Sequence, residues 1–207
     1  MTARSRGGAL LLLACAWSQA AGAFTATILP GTRAVYLRVG NGVFTGNYRS
    51  GGTPGSGGAL NVVSVTVPAA VLGNGADQVM TTNATQANSN YDGFAFCNVL
   101  AQIYVGGFYR LPGVNGTATL SATAPTGLTN AQGEAIAFSQ IKWTSSGNND
   151  TGAQPIAAGQ FTGGTQVLAS FPVNSWRESC HTFSYSNDAL VAAGVYTGRV
   201  TYTLSAP

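Results

Sequence analysis

The sequence predicts an all-β fold, an antiparallel Ig-like or Greek-key β-sandwich of about nine to ten short strands. Three observations predict it. Apolar residues recur with a period of two through most of the chain. Gly-, Pro- and Asn-rich turn signals separate these runs. No long stretch carries the 3.6-residue period of an amphipathic helix.

Taken in order, Phe24-Thr25-Ala26-Thr27-Ile28-Leu29 alternates Phe24, Ala26 and Ile28 on one face and stops at Pro30-Gly31. Ala34-Val35-Tyr36-Leu37-Arg38-Val39 places Val35, Leu37 and Val39 together. Gly51-Gly52-Thr53-Pro54-Gly55 is a turn signal, and Val63-Ser64-Val65-Thr66-Val67 alternates cleanly after it. Residues 69–72 fit a single helical turn before the turn Gly73-Asn74-Gly75. Ala101-Gln102-Ile103-Tyr104-Val105 leads into Gly106-Gly107 and Phe108-Tyr109-Arg110, where the glycines predict a bulge or bend within a strand.

After Pro112-Gly113, the run from Thr117 to Thr123 alternates with small residues inward. Ile136, Phe138 and Ser139-Gln140-Ile141-Lys142-Trp143 read as one strand whose facing switches midway, at a bulge. Gly147-Asn148-Asn149-Asp150 and Gly163-Gly164 are turns. Gln166-Val167-Leu168-Ala169-Ser170-Phe171, Cys180-His181-Thr182-Phe183-Ser184-Tyr185 and Arg199-Val200-Thr201-Tyr202-Thr203-Leu204 complete the strands, with a second helical turn expected over residues 188–192.

The N-terminus is organised differently. Arg4 and Arg6 precede the apolar run from Ala9 to Trp17, and small residues lead to Ala21-Gly22-Ala23, an A-x-A site before Phe24. That order predicts a secretory signal peptide over residues 1–23, cleaved to leave one β-sandwich domain over residues 24–207. Leu12-Leu13-Ala14-Cys15 loosely resembles a bacterial lipobox, the alternative being cleavage before a lipidated Cys15. The apolar run is shorter than the roughly 20 residues of a membrane span, so no span is expected.

Removing the leader changes the counts. Seven basic residues (Arg33, Arg38, Arg49, Arg110, Lys142, Arg177, Arg199) then face six acidic ones (Asp77, Asp92, Glu134, Asp150, Glu178, Asp188), a net charge of +1. No Lys/Arg cluster remains to follow a nucleic-acid backbone or an anionic membrane. Charged residues are 7% of the chain while hydrophobic residues are 45%, so the surface must be made soluble by Thr, Ser, Asn and Gln. Such a surface lacks the charges that stop strand edges from pairing. Cys15 leaves with the leader, and Cys97 and Cys180 are expected to form one disulfide in an oxidising compartment.

Candidate sites are few. His181 is the only histidine. Alternation puts Cys180 and His181 on opposite faces, with Cys180 expected inward and His181 outward. No nucleophile-elbow motif is present, and one His beside a disulfide leaves too few ligands for zinc, so no catalytic residue, metal or cofactor is assigned. Asn148-Asn149-Asp150-Thr151 lacks the spacing of a calcium loop and reads as a polar turn. Trp143, Trp176, Tyr91, Tyr104 and Tyr109 have faces suited to sugars. Trp176, flanked by Asn174, Ser175, Arg177 and Glu178, is the glycan-stacking candidate.

The C-terminal stretch from Ala193 to Leu204 has the form A-G-x-Y-x-G-x-V-x-Y-x-L. It resembles the last strand of secreted bacterial Ig-like sandwiches, including chaperone–usher fimbrial subunits and spore coat protein U-like domains. Cys97 and Cys180 are farther apart and later than the cysteine pair usual in chaperone–usher subunits. The resemblance implies an exported bacterial protein, extracellular, at the cell surface or in the periplasm. It implies a structural subunit of a fimbria-like or coat-like assembly that self-associates by strand exchange, with Phe24, Ala26 and Ile28 filling a neighbour's groove. The other reading is a monomeric extracellular module binding glycans or another surface ligand.

Overall fold

The protein is described here from a computed structural model covering residues 25–46, 60–148 and 152–207. The leader expected over 1–23, Phe24, the turn signal at 51–55 and residues 149–151 lie outside the described residues.

The fold is nearly all-β, 46% strand and 4% helix, and every ladder is antiparallel. The early strands are β1 (Thr25–Thr27), β2 (Ala34–Val39), β3 (Gly42–Gly46), β4 (Val63–Ser64), β5 (Gln78–Val79) and β6 (Thr81–Thr82). The middle of the chain supplies β7 (Ile103–Arg110), β8 (Thr117–Ala124), β9 (Gly127–Thr129), β10 (Ala135–Ala137), β11 (Ile141–Ser146) and β12 (Gly159–Gln160). The last are β13 (Gly164–Pro172), β14 (Ser175–Tyr185) and β15 (Thr201–Ser205). The described residues therefore hold more strands than periodicity predicts, because several ladders are only two or three residues long.

The larger sheet runs β12-β11-β14-β7-β2-β3, with β1 and β5 also attached to β14. The smaller runs β13-β8-β15, and β9–β10 and β4–β6 form separate two-stranded ladders. β14 is long enough to change neighbours. One edge pairs with β1 at residues 175–177 and with β11 at 180–185; the other pairs with β7 and then β5. The hairpin from β13 to β14 carries the chain between sheets through Asn174 at φ 55°. Asn174 Oδ1 accepts from Leu111 N at 3.0 Å and its Nδ2 donates to Gly113 O at 2.8 Å, fixing this corner.

The core lies between the two sheets, as a sandwich requires. Ala118, Leu120, Ala122 and Ala124 of β8 face Val35 and Leu37 of β2, Ile103, Val105 and Tyr109 of β7, and the aromatic residues Trp143, Phe161 and Phe183, while Phe171 of β13 packs into the core from β8's own sheet, opposite Ala118 in register. Small residues on one sheet leave room for large rings from the other.

Local expectations divide. A one-turn 3₁₀ helix occupies residues 69–71, as read from the sequence, but residues 188–192 form no helical turn. The facing switch after Ile136 is not a bulge. A 3₁₀ turn over Phe138–Gln140 separates β10 from β11 and lets both Ile136 and Ile141 reach the core. Gly106 and Gly107 do not bend β7, whose register with β14 and β2 runs straight through them. They are needed for close approach. A Cβ at Gly107 would collide with the Tyr36 carbonyl oxygen, and one at Gly106 would lie 2.8 Å from Glu178 Cβ.

Candidate functional site

Outward-facing side chains of β2, β7 and β14 form ranks across the larger sheet. Tyr36, Phe108 and Trp176 are in register, with ring centroids 5.7 Å (Tyr36–Phe108), 5.6 Å (Phe108–Trp176) and 5.5 Å (Tyr36–Trp176) apart. The next rank is Arg38, Gly106 and Glu178. Glu178 is fully buried. Its Oε2 accepts from Trp176 Nε1 at 2.8 Å and from the Tyr104 hydroxyl, while its buried Oε1 has no hydrogen-bond partner among the described residues. Burial and the neighbouring Glu178 raise the Tyr104 hydroxyl far above the ordinary tyrosine range.

Within residues 83–102, Asn90, Tyr91, Phe96 and Cys97 lie over this face, whereas Ala84 reaches the core between the sheets. Cys97 and Cys180 are joined as a disulfide with Cα atoms 5.5 Å apart, and Phe96 meets Tyr104 edge-on at 6.1 Å. The bridge therefore ties the covering segment to the middle of β14, and Cys97, Tyr104 and Cys180 make a small second core.

This cover reverses two expectations. Cys180 faces outward, under residues 83–102, and His181 faces inward between the sheets. His181 is fully buried, stacked on Trp143 at 5.7 Å and edge-on to Phe183 at 6.2 Å. Neither ring nitrogen has a well-formed hydrogen bond among the described residues, and burial pushes its pKa down to about 4 against a smaller opposing effect of the Ile156 backbone. Trp176 is not an exposed platform: it is 6% accessible, with its indole N–H bonded to Glu178 and the Tyr91 ring over it at 6.1 Å. Glycan stacking directly on Trp176 is ruled out by that cover. Trp143 and Tyr104 are equally buried, and so is Tyr109.

The smaller sheet is the second unusual surface. None of β8, β13 and β15 contains Lys, Arg, Asp or Glu. Its outer face is mostly hydroxyl residues: Thr165, Thr123 and Thr201 lie in one rank and Ser170, Thr119 and Ser205 in another, with the exposed Val167 beside Ser121 and Thr203 between them. Thr123 and Thr165 hydroxyls are 2.8 Å apart. Among the described residues β13 and β15 each pair only with β8, so both outer edges are open. A register shift between Val167 and Ala169 irregularises β13, whereas β15 is a regular five-residue edge. Its inward residues Tyr202 and Leu204 are half-buried at the rim of the core.

β1 differs from an ordinary core strand. Ala26 lies opposite Trp176 and shares its outward face; Thr25 and Thr27 lie opposite Arg177 and Ser175. Ala26 and Ile28 are half-buried, and neither joins the core between the sheets. Leu29 is 86% exposed. Among the described residues there is no cluster of three metal-ligating side chains, and no helix is long and apolar enough to cross a membrane. No protein-family model, no curated protein and no solved structure matches this chain.

Proposed function

We propose that the protein is an exported bacterial surface protein serving as a structural subunit of a fimbria-like or coat-like assembly, its copies joined by strand pairing. The observation that carries this reading is β15, a regular, uncharged edge strand with an open outer main chain and the half-buried Tyr202 and Leu204 on its inner face. Natural edge strands are usually blunted by charge, Pro or a bulge, and β15 has none of these.

The occupant of that edge is the segment 24–29 of a second copy. Its Phe24, Ala26 and Ile28 alternate on one face, as a strand beside Tyr202 and Leu204 requires. Its Thr25 and Thr27 alternate on the other, continuing the mostly hydroxyl outer face. In its own chain the described part of the segment is held by the three-residue ladder to β14 and by Ile28 N donating to Asn174 O at 2.9 Å, a short pairing for exchange to break. Export fits the basic, apolar and small-residue order of residues 1–23 and the disulfide.

Deleting residues 24–29 tests this. The variant is expected to keep its strand circular dichroism and sediment as a monomer while the full-length protein forms higher assemblies. Normal polymerisation of the deletion variant, or a full-length protein that stays monomeric at every concentration, would overturn it.

A further inference from the structure

Within the segment covering the larger sheet, a well-bonded turn presents two aromatic rings to solvent. Phe94 is 74% exposed and Tyr91 44%, with the exposed carboxylate of Asp92 between them in sequence. The turn is fixed from within. Buried Ser89 accepts on Oγ from Tyr91 N at 3.0 Å and Asp92 N at 3.3 Å, and donates its own N–H to Phe94 O at 2.8 Å. Phe94 N donates to Asp92 Oδ1 at 3.0 Å, and Gly93 takes φ +80°. At the base, the amides of Phe96 and Cys97 donate to Ala87 O at 2.9 and 2.7 Å, and Cys97 is tied to Cys180. Underneath, Asn90 Nδ2 donates to the Tyr36 hydroxyl, and Tyr91 rests on Trp176.

Exposed apolar area forfeits the stabilisation that burial would give. Here the backbone that carries both rings is held by a disulfide and a buried serine, and the Tyr91 ring by its tilted contact with Trp176, so the place from which the rings project is set before any partner arrives. A preorganised ring loses little entropy on binding. Aromatic faces with a carboxylate in the same turn match a pyranose: C–H groups stack on the ring and a hydroxyl bonds to the carboxylate. A lipid surface fits poorly, because Asp92 would enter it between the two rings.

We infer that the turn 88–95 is a carbohydrate-contact site, with Phe94 and Tyr91 as stacking faces and Asp92 as hydroxyl acceptor, for β-linked pyranose polymers whose substituents are equatorial. Equatorial substituents leave a flat C–H face; an axial hydroxyl breaks it. The site is separate from β15 and does not depend on assembly. Trp176 enters it as the support beneath Tyr91.

The test is depletion of the protein from solution by microcrystalline cellulose and by chitin, with Phe94→Ala and the distant exposed control Leu190→Ser. The wild type and Leu190→Ser are expected to be taken up by at least one polymer, and Phe94→Ala to bind about tenfold more weakly. Both substitutions are on exposed side chains, so both variants are expected to fold. No uptake by either polymer, or undiminished uptake of Phe94→Ala, would overturn the inference. So would a Phe94-dependent association with phosphatidylcholine vesicles in place of the polymers, or a change of oligomeric state in Phe94→Ala.

Discussion

Trp176 and Glu178 stand two residues apart on the same face of β14, and the indole N–H of the first donates to the carboxyl Oε2 of the second at 2.8 Å. With Tyr104 donating to the same oxygen, one acidic side chain satisfies two buried donors beneath residues 83–102. Glu178→Ala leaves both donors unpaired and is expected to cost about 3 kcal/mol of unfolding free energy, read from urea denaturation. Glu178→Gln keeps one oxygen to accept from both donors but puts a buried amide NH2 where Oε1 stands without a partner, so it is expected to cost less than Glu178→Ala.

His181 makes stability depend on pH. Its folded-state pKa of about 4 lies below the ordinary value of 6.5, so the unfolded chain takes up the proton first as pH falls. The contribution is full above pH 6.5 and is lost progressively down to about pH 4, amounting to about 3 kcal/mol. Urea midpoints measured across that window are expected to fall for the wild type and to fall less for His181→Leu.

The Cys97–Cys180 bridge spans a sequence separation of 83 residues. Reduction, or the double change Cys97→Ala with Cys180→Ala, is expected to lower stability by about 4 kcal/mol. Because the bridge holds the cover over Trp176, tryptophan emission is also expected to shift to the red.

At the open edge, Thr203→Lys places a charge on the exposed face of β15. Its effect on unfolding is expected to stay within about 0.5 kcal/mol. Sedimentation velocity is expected to show assembly reduced, since a lysine on an edge disfavours strand addition.

Period-two alternation identified most of the longer strands, because a half-buried strand must write its two faces into its sequence. The strands around Leu37, Leu120, Phe171 and Phe183 were legible in this way. The two-residue strands β4, β5 and β6 were not, since two residues carry no period. Alternation also gives only relative facing. It puts Cys180 and His181 on opposite sides of β14 but does not say which side faces the other sheet, and the expected facing, Cys180 inward and His181 outward, is the reverse of the structure's. Residues 83–102 give the outer face a small core of its own, so a polar neighbourhood in sequence around Trp176 coincides with burial in space. Gly106 and Gly107 read as a bend because their actual cause, the approach of Glu178 and of the Tyr36 carbonyl, comes from strands distant in sequence. The rigid turn at 88–95 had one local signal, the glycine after Asp92.

The absence of charged residues from β8, β13 and β15 sets how any strand added at β15 would respond to its surroundings. Main-chain hydrogen bonds and apolar contact at that seam present no fixed charge for dissolved ions to screen. Dilution into fresh water or transfer into brine would therefore leave the seam about equally strong, a property suited to a joint exposed to an unregulated medium.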